Sequence, residues 1–425
     1  MIKINKNIKT LKHSATLVIN QKVKTLRNKG KEVYHFGFGQ SPFPVHNEIV
    51  KGLTDKASCN HYLPTQGLPE LQNEISNFLL HYQGVKVDSE GIFIGPGSKE
   101  FLYQIILLLE GVFFIPQASW VSYLPQIKTK GASYKIIDTS IKNNYKLEAS
   151  NLEIACKLYP DIQKSLILNS PNNPTGAVYS EEELKDIAAI CRLYDVIVLS
   201  DEIYSQINFT KNYSPSISKF YPERSLVFGG LSKVFSAGGY RLGFVAIPKS
   251  MNELYVPLKA LVSETFSCVS APVQYAALKA FKFEDNLKQY VSDCSKILDF
   301  VAHYIYRELS KLNVICTKPQ GAFYMLIDFE NFRKQLIKLQ IFNALQLTDY
   351  LLENYNIALL PGVDFYFSET SLTCRLATVD FDGNKVYKAF KNGENLDSEF
   401  VKNNTPLIFK GLKRLGVFLD KLTYT

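Results

Sequence analysis

Several residues of this chain are of types that do chemistry, and they stand in short motifs rich in small residues. Lys233 lies in GGLSKVFSAGGYRLGF, at residues 229–244, and other motifs flank it at a distance. In chain order the set is Asn173, Asp201, Tyr204, Lys233, Arg241 and Arg375. A lysine amine can form a Schiff base with an aldehyde, and a buried carboxylate can hold a proton on a ring nitrogen. Each type is common on protein surfaces, so the set carries the indication and no single member does.

Pyridoxal phosphate is a cofactor whose needs this set meets. Its aldehyde requires a lysine amine, which Lys233 offers. Its pyridine ring accepts electrons only while the ring nitrogen stays protonated, and a carboxylate such as that of Asp201 keeps the proton there. The phenolic oxygen of the ring requires hydrogen-bond donors, and Asn173 and Tyr204 can supply them.

The phosphate group and the substrate make further demands. A phosphate is bound by N–H groups at a helix start, by hydroxyl groups and by arginine. The residues that fit are Gly97, Ser98, Lys99, Ser232 and Arg241. Their glycine turn, GPGSKE, has neither the Gly-Lys-Ser/Thr ending of a Walker A loop nor the third glycine of the dinucleotide fingerprint. Arg375 can bind the α-carboxylate of an amino acid through two parallel hydrogen bonds.

These motifs resemble those of the fold-type I pyridoxal-phosphate aminotransferases, the aspartate aminotransferase superfamily of classes I and II. The segments that carry the resemblance are NNPTG, DEIY, SKVFSAGGYRLG, CRLA, GPGSKEFLYQI, ASWVSY and HYLPTQGLPELQNEI. The resemblance runs in family order over roughly residues 14 to 390. Its pattern is most similar to the bacterial aspartate and prephenate aminotransferase branch.

The resemblance implies a fold and a reaction. The expected fold is α/β, with a mostly parallel seven-stranded sheet between helices in a large domain and a smaller α/β domain. We expect an N-terminal segment at 1–44 that packs with the small domain, a large domain at 45–290 and a small domain at 291–425. The expected reaction moves the amino group of an L-amino acid to a 2-oxo acid by a ping-pong scheme.

The resemblance also implies roles for single residues. Lys233, Asp201 and Tyr204 are expected to be catalytic, while Gly39, Asn173 and Arg375 are expected to bind substrate. Trp120 is expected to stack on the cofactor ring, with Tyr123 as the second candidate; the alternative for Trp120 is a place in the core. Tyr62 is expected to reach the phosphate of a neighbouring subunit in a homodimer; the alternative is a loop aromatic packed within its own chain.

The pattern of the chain places the candidate residues at one edge of a sheet. Short apolar segments alternate with amphipathic ones, and the predicted strands are the start of GIFIGPGSKE, then EGVFFIP, SYKIID, LILNS, DVIVLSD and SLVFGGLS. Such alternation predicts a mostly parallel sheet covered on both faces. The candidates follow directly after these strands, which is where ligands bind in open α/β sheets.

Composition excludes several other classes. The 425 residues are 46% hydrophobic and 21% charged, which is ordinary for a globular protein of two or three domains. The net charge of +8 comes from dispersed lysines, so we expect no nucleic-acid partner. Six histidines without metal-ligand spacing predict no metal site. Seven cysteines without a C-x-x-C pair, and a basic N-terminus without an apolar segment, predict a cytoplasmic protein. FLYQIILLLEGVFFIP is interrupted by polar residues and predicts a buried helix and strand, not a membrane span.

Three departures from the family pattern bear on substrate and partner contacts. Gly230 stands where many relatives have serine or threonine, so a phosphate hydroxyl is expected to be missing. Gln40 and Ser41 alter a substrate-facing turn, and SETFSCVSAP differs from a Ser/Thr-rich run. NGENLDSEFVKNN, from Asn392, is expected to be a surface insertion before the last helix.

Three alternatives to an aminotransferase are open. A β-eliminating lyase or an ACC-synthase-like enzyme would use the same cofactor residues. A non-catalytic pyridoxal-phosphate-binding regulatory protein would carry a DNA-binding domain ahead of the matched region, where this sequence has about a dozen residues. A catalytically inactive relative would not be expected to keep Lys233 together with its partners.

Overall fold

The computed structural model describes residues 2–9, 11–211 and 213–423. Its strands are β1 Tyr34–His35, β2 Ile92–Gly95, β3 Val112–Pro116, β4 Ser133–Ile137, β5 Lys164–Asn169, β6 Ile197–Asp201, β7 Ser225–Gly230, β8 Gly243–Ala246, β9 Ile315–Cys316, β10 Tyr324–Asp328, β11 Ile357–Ala358, β12 Leu360–Pro361 and β13 Thr373–Ala377.

Helices alternate with the strands in the first half of the chain and dominate the second half. They are α1 Lys6–Lys9, α2 Ala15–Asn28, α3 Asn47–Thr54, α4 Pro69–Gln83, α5 Ser98–Leu108, α6 Tyr123–Lys130, α7 Ala149–Lys157, α8 Glu181–Leu193, α9 Tyr255–Ser263, α10 Ala271–Lys282, α11 Asp285–Lys311, α12 Arg333–Lys338, α13 Ala344–Tyr355, α14 Gly383–Lys391, α15 Ser398–Asn404 and α16 Pro406–Thr423. No helix among these described residues is long and apolar enough to cross a membrane.

The largest sheet has seven strands in the order β2-β8-β7-β6-β5-β3-β4. The pairs from β7 to β4 are parallel, and β8 runs antiparallel to both β7 and β2. The predicted seven-stranded, mostly parallel sheet is confirmed. The sequence analysis missed β8, because its four residues follow a glycine-rich motif that was interpreted only for its chemistry.

Both faces of this sheet are buried, which explains the apolar runs that predicted it. Along β3, Val112 and Phe114 pack into one hydrophobic cluster, while Phe113 and Ile115 pack into another on the opposite face. This is the alternation of side chains that a strand imposes. Helices α7 and α8 contribute to the first cluster, and α5 and α9 contribute to the second.

Two smaller sheets lie later in the chain. One has four antiparallel strands in the order β12-β13-β10-β9, and it carries Arg375 on β13. The other joins β1 to β11 in parallel. Val23 of α2 packs in one hydrophobic cluster with Leu352 of α13 and Ala358 of β11. The domain boundaries at residues 44 and 290 stay a prediction.

The segment from Asn392 differs from the surface insertion that was predicted. Residues 398–404 form α15, and Phe400 and Val401 on it are buried in the main hydrophobic cluster. Phe400 also meets Phe300 of α11 edge to face, with ring centroids 6.3 Å apart. Most residues of this segment are polar, but Phe400 and Val401 are apolar, and they pack the segment against the long helix α11.

Candidate active site

A cavity of about 440 Å³ opens at the carboxyl ends of β5, β6 and β7. It collects the residues predicted for the site, although they come from distant motifs. Those that line it are Gly39, Gly97, Ser98, Lys99, Trp120, Asn173, Asp201, Tyr204, Ser232, Lys233, Arg241 and Arg375. Tyr62 is absent from its lining. The N-terminal segment also contributes a wall, through Ser14, Thr16 and Leu17.

Asp201 ends β6 at the floor of this cavity and is almost fully buried. Tyr123 Oη donates a hydrogen bond to its Oδ2 at 2.7 Å, and the backbone N–H of Ile203 faces its Oδ1 at 3.4 Å. Burial raises the pKa of the Asp201 carboxyl to about 6, although these two bonds and the charge of Lys233 act in the opposite direction. Asp201 is therefore a buried carboxyl that gains most from a cationic partner.

Tyr123 has a different place from the one predicted for it as a stacking candidate. Its side chain is fully buried under Trp120, whose ring meets it edge to face at 5.4 Å and 81°. Its hydroxyl group donates a hydrogen bond to Asp201, so Tyr123 holds that carboxyl group in position. No sequence signal links the two, because 78 residues separate them along the chain.

The raised pKa of Asp201 predicts how stability depends on pH. Between about pH 4 and 6 the unfolded chain loses this proton before the folded protein does, so stability falls as pH rises. Above pH 6 the whole cost of about 3 kcal/mol is present. We expect Asp201→Asn to abolish this contribution. Unfolding temperatures of both cofactor-free proteins from pH 4 to 7 should therefore diverge with rising pH, and a constant difference would contradict the raised pKa.

Lys233 follows β7 and points across the cavity to the turn after β1. Its Nζ donates to the carbonyl oxygen of Gly39 at 2.9 Å. It lies 5.7 Å from the ring centroid of Tyr204 and 5.4 Å from that of Phe323. In the part of the chain described, no carboxylate forms an ion pair with Lys233, so its amine is held by a single neutral acceptor.

Asn169, at the end of β5, links two predicted site residues and was itself missed. Its Oδ1 accepts the backbone N–H of Asn173 at 2.8 Å, and its Nδ2 donates to the carbonyl oxygen of Asp201 at 2.7 Å. The loop with Asn173 is thereby fixed to the end of β6. The available sequence signal was the asparagine at the end of LILN. A polar side chain at the end of a buried strand has few possible hydrogen-bond partners other than nearby backbone groups.

Tyr204 contacts a second tyrosine, Tyr324, to which the sequence motifs did not point. Tyr204 Oη lies 3.1 Å from Tyr324 Oη, and Tyr324 Oη donates to the carbonyl oxygen of Gly39 at 3.1 Å. Both side chains are buried. Burial, with the neighbouring Tyr324 and Asp201, raises the pKa of Tyr204 well above its usual range, so Tyr204 stays a neutral donor.

The glycine turn and the arginine predicted for phosphate binding lie against each other. Gly97 has φ +107°, and a Cβ on it would stand 2.6 Å from Nη2 of Arg241. Arg241 donates to the carbonyl oxygens of Pro96 and Gly238, each at 3.0 Å. Ser98 begins α5 directly after this turn. The helix start, its hydroxyl group and the guanidinium therefore surround one place, as an anion requires.

Arg375 lies on β13, and only 1% of this large residue's surface is exposed. Nη1 donates to Oδ1 of Asn173 at 3.1 Å, and Nη2 donates to the carbonyl oxygen of Gly37 at 2.7 Å. Its Nε has no hydrogen-bond partner, and none of the described carboxylates pairs with it. Burial lowers the pKa of the guanidinium, although it remains a cation. A buried cation with a free donor is suited to bind an anionic ligand.

The comparison with known proteins decides the family. Residues 31–382 match the family model of aminotransferase class I and II. This chain belongs to that family. Members of the family use pyridoxal phosphate, and this aminotransferase moves an amino group from an amino acid to a 2-oxo acid.

Individual relatives agree with that assignment. An aspartate aminotransferase of Geobacillus stearothermophilus is 31% identical over 86% of this chain and 92% of its own length. A probable aspartate/prephenate aminotransferase of Aquifex aeolicus is 32% identical over 84% and 89%, respectively. A solved aspartate aminotransferase of Thermus thermophilus, determined with maleate, has a TM-score of 0.84 at 23% identity, covering 98% of this chain and 99% of that one. That structural likeness concerns the fold.

Lys99 and Trp120 form one side of the aminotransferase cavity. Lys99 Nζ lies 5.3 Å from the ring centroid of Trp120, a distance typical of a cation–π contact. Partial burial and the nearby cation of Arg241 lower the pKa of Lys99. Trp120 lines the cavity and also packs against two hydrophobic clusters, so its stacking on the cofactor ring stays a prediction.

Tyr62 lies outside the cavity and exposes 92% of its surface. The alternative of a loop aromatic packed within its own chain is therefore wrong. Its proposed contact with a second subunit stays a prediction.

The turn after β1 also departs from the sequence expectation. Gln40 lines the cavity, as expected for a substrate-facing residue. Ser41 is buried, and its Oγ lies 2.6 Å from Oγ of Ser236 in the loop that carries Lys233. Ser41 thus ties the two loops together.

Gly230 is a glycine for a steric reason. It pairs with Gly243 across β7 and β8, and a Cβ on it would lie 2.7 Å from Cα of Gly243. A side chain at this position would press on backbone. A serine hydroxyl that could bind a phosphate is therefore absent at this position because β7 and β8 approach each other closely.

Restoring the family serine at this position should cost stability. We expect Gly230→Ser to lower the free energy of unfolding by about 1–3 kcal/mol, because overpacking forces backbone to shift. The matched control is Gly239→Ser, where a Cβ would have no atom within 4 Å. Unfolding temperatures of the two cofactor-free variants give the comparison. Equal unfolding temperatures would show that the strands separate without cost.

Proposed function

We propose that the cavity binds pyridoxal phosphate and uses Lys233 as its covalent attachment point. The supporting observation is the meeting of Asp201 and Lys233 in one cavity, with the phosphate-type turn of Gly97 at its edge. A buried carboxyl braced by Tyr123 requires a positive partner, and a protonated pyridine nitrogen is one. The residues present therefore fit the group. When bound, the cofactor withdraws electrons from the substrate's Cα, which makes its proton removable.

Each remaining part of the cofactor has a matching residue. Ser98 and Ser232 offer hydroxyl groups to the phosphate, and Arg241 offers its charge. Asn173 and Tyr204 would donate hydrogen bonds to the phenolic oxygen. Trp120, with Lys99 beside it, covers the ring.

The chain's own groups then carry the amino acid through the reaction. Arg375 binds the α-carboxylate, using Nε and the donors that now reach Asn173 and Gly37. Gly39 follows Gly37 in the same turn and also lines the cavity. Lys233, once its amine is free, takes the proton from the substrate's Cα and returns it to the cofactor side. Two half-reactions through one site give ping-pong kinetics.

We further propose an acidic amino acid and its 2-oxo acid as preferred substrates. Four cations line the cavity, namely Lys99, Lys233, Arg241 and Arg375, against the single carboxylate of Asp201. With Lys233, Arg241 and Arg375 assigned, Lys99 is the cation left to meet a second carboxylate. The names of the aspartate aminotransferase relatives support the same substrate class.

Absorption spectroscopy tests the proposed function. The purified protein with pyridoxal phosphate should show a visible band, and adding aspartate or glutamate without a keto acid should convert it to the spectrum of the aminated cofactor. A visible band that never forms would contradict the cofactor. A band that persists while pyruvate or ammonia accumulates would favour the β-eliminating lyase. Alanine and phenylalanine serve as amino acids without a side-chain carboxylate, and equal conversion of all four would contradict the substrate class.

We also propose a homodimer in which Tyr62 of each subunit reaches the phosphate of the other. The near-complete exposure of Tyr62 supports this arrangement, as do the exposed apolar residues Ile2, Ile4 and Ile8 of the N-terminal segment. Sedimentation should give twice the mass of 48.2 kDa. Because the seven cysteines are all unpaired, we propose the cytoplasm as the compartment.

A further inference from the structure

Two buried tyrosines and one backbone carbonyl form a short hydrogen-bond chain beside Lys233. Tyr204 and Tyr324 expose only 3% and 2% of their surfaces, and their Oη atoms are 3.1 Å apart. The carbonyl oxygen of Gly39 accepts from both Tyr324 and Lys233, at 3.1 and 2.9 Å. Gly39 is pressed so closely on Tyr324 that a Cβ there would lie 2.1 Å from the ring.

The number of protons decides how this chain can work. Each phenol has one proton to donate, and a carbonyl has none. While Tyr324 donates to Gly39, the proton between the two phenols must come from Tyr204. Tyr204 then has no proton left for a ligand in the cavity.

We propose that Tyr324 is a positioning residue that makes Tyr204 a stronger donor toward the phenolic oxygen of bound pyridoxal phosphate; this rests on the cofactor proposed above. When Tyr204 rotates its O–H toward that oxygen, Tyr324 rotates its own O–H from Gly39 to the oxygen of Tyr204. Each hydroxyl keeps its proton and no covalent bond changes. Two donors in series polarise each other, so Tyr204 becomes the stronger donor.

The surroundings leave this task to Tyr324. The charged groups that face the pair are Lys233, Arg375 and Asp201. The guanidinium carbon of Arg375 lies 4.7 Å from the Tyr324 ring centroid, and its Nη atoms donate to Asn173 and Gly37. Lys233 donates to Gly39. Within the described chain, Tyr324 is the side chain hydrogen-bonded to Tyr204.

The test is a pH titration of the visible absorption band of the protein loaded with pyridoxal phosphate. Tyr324→Phe removes one hydroxyl and keeps the ring. We expect the pH at the midpoint of its titration to rise by about half a pH unit or more. When its hydrogen-bond donor is weaker, the anionic phenolic oxygen of the cofactor stabilises a nearby protonated group more strongly. Tyr204→Phe should shift the midpoint further in the same direction. In the double variant, Tyr324→Phe should add nothing to the shift of Tyr204→Phe.

The control and the opposing outcomes separate this inference from the proposed function. Tyr290→Phe also deletes a buried hydroxyl, which donates to the carbonyl oxygen of Pro44 at 2.6 Å, and should leave the midpoint unchanged. An unchanged midpoint in Tyr324→Phe, or an equal shift with and without Tyr204, would overturn the positioning role. The unfolding temperature of each variant shows whether it is folded. A wild-type protein without any visible band would instead overturn the cofactor itself.

Discussion

Replacing Lys233 with alanine is expected to lower the rate of amino-group transfer by about 10⁴-fold, the largest effect of any single change in this protein. The variant loses the proposed attachment point of the cofactor and the base that moves the Cα proton, and a positioned acid–base group alone contributes up to about 10⁴. Steady-state rates with aspartate and 2-oxoglutarate measure the loss. Borohydride treatment gives an independent readout, since it should fix the cofactor to the wild-type peptide that contains Lys233 and to no peptide of the variant.

The control for this experiment is Lys249→Ala, which removes an exposed lysine outside the cavity. We expect its rate to equal that of the wild-type protein. If Lys233→Ala kept a tenth of the wild-type rate, or if borohydride fixed the cofactor elsewhere, the assigned role of Lys233 would be wrong.

Replacing Arg375 with lysine is expected to lower kcat/KM for amino acids by at least about 30-fold, because breaking a buried, hydrogen-bonded charge pair costs about 2–5 kcal/mol. Lysine keeps the charge but lacks the two parallel donors that match a carboxylate. The loss should appear mainly as a higher KM. The visible band of the bound cofactor should stay, since Arg375 contacts the substrate end of the cavity.

Arg27→Lys is the matched control for Arg375→Lys. Nη2 of Arg27 donates to both carboxylate oxygens of Asp380, at 3.0 and 2.8 Å, and Arg27 lies outside the cavity. We expect Arg27→Lys to change the unfolding temperature and to leave KM unchanged. A normal KM in Arg375→Lys would show that another residue binds the substrate carboxylate.

The sequence predicted those site residues whose type is demanded by one chemical group. Lys233, Asp201 and Arg375 each meet a single need, and their motifs flank strands that apolar runs make easy to recognise. The strand ends then place them at one edge of the sheet. Resemblance to the family supplied Gly39, Trp120 and Tyr62.

The residues that were missed act through contacts between distant parts of the chain. Tyr324 was not singled out, and Tyr123 was expected only as the second stacking candidate. The folded structure shows that their hydroxyl groups meet Tyr204 and Asp201, respectively. Asn169 is one of many asparagines in the sequence. Strand β8 was missed because it directly follows the glycine-rich motif that carries Lys233 and Arg241, which was interpreted for its chemistry.

The reversed direction of β8 determines which residues can reach the ligand. In a parallel strand only the residues that follow it lie at the carboxyl edge of the sheet. Because β8 runs the other way, the residues that precede it arrive at this edge, which brings Arg241 against Gly97. Lys233 and Arg241 therefore share one hairpin loop between Gly230 and Gly243. The anchor for the aldehyde and the anchor for the phosphate have a fixed spacing, so a shift in β-hairpin register would displace both ends of the cofactor together.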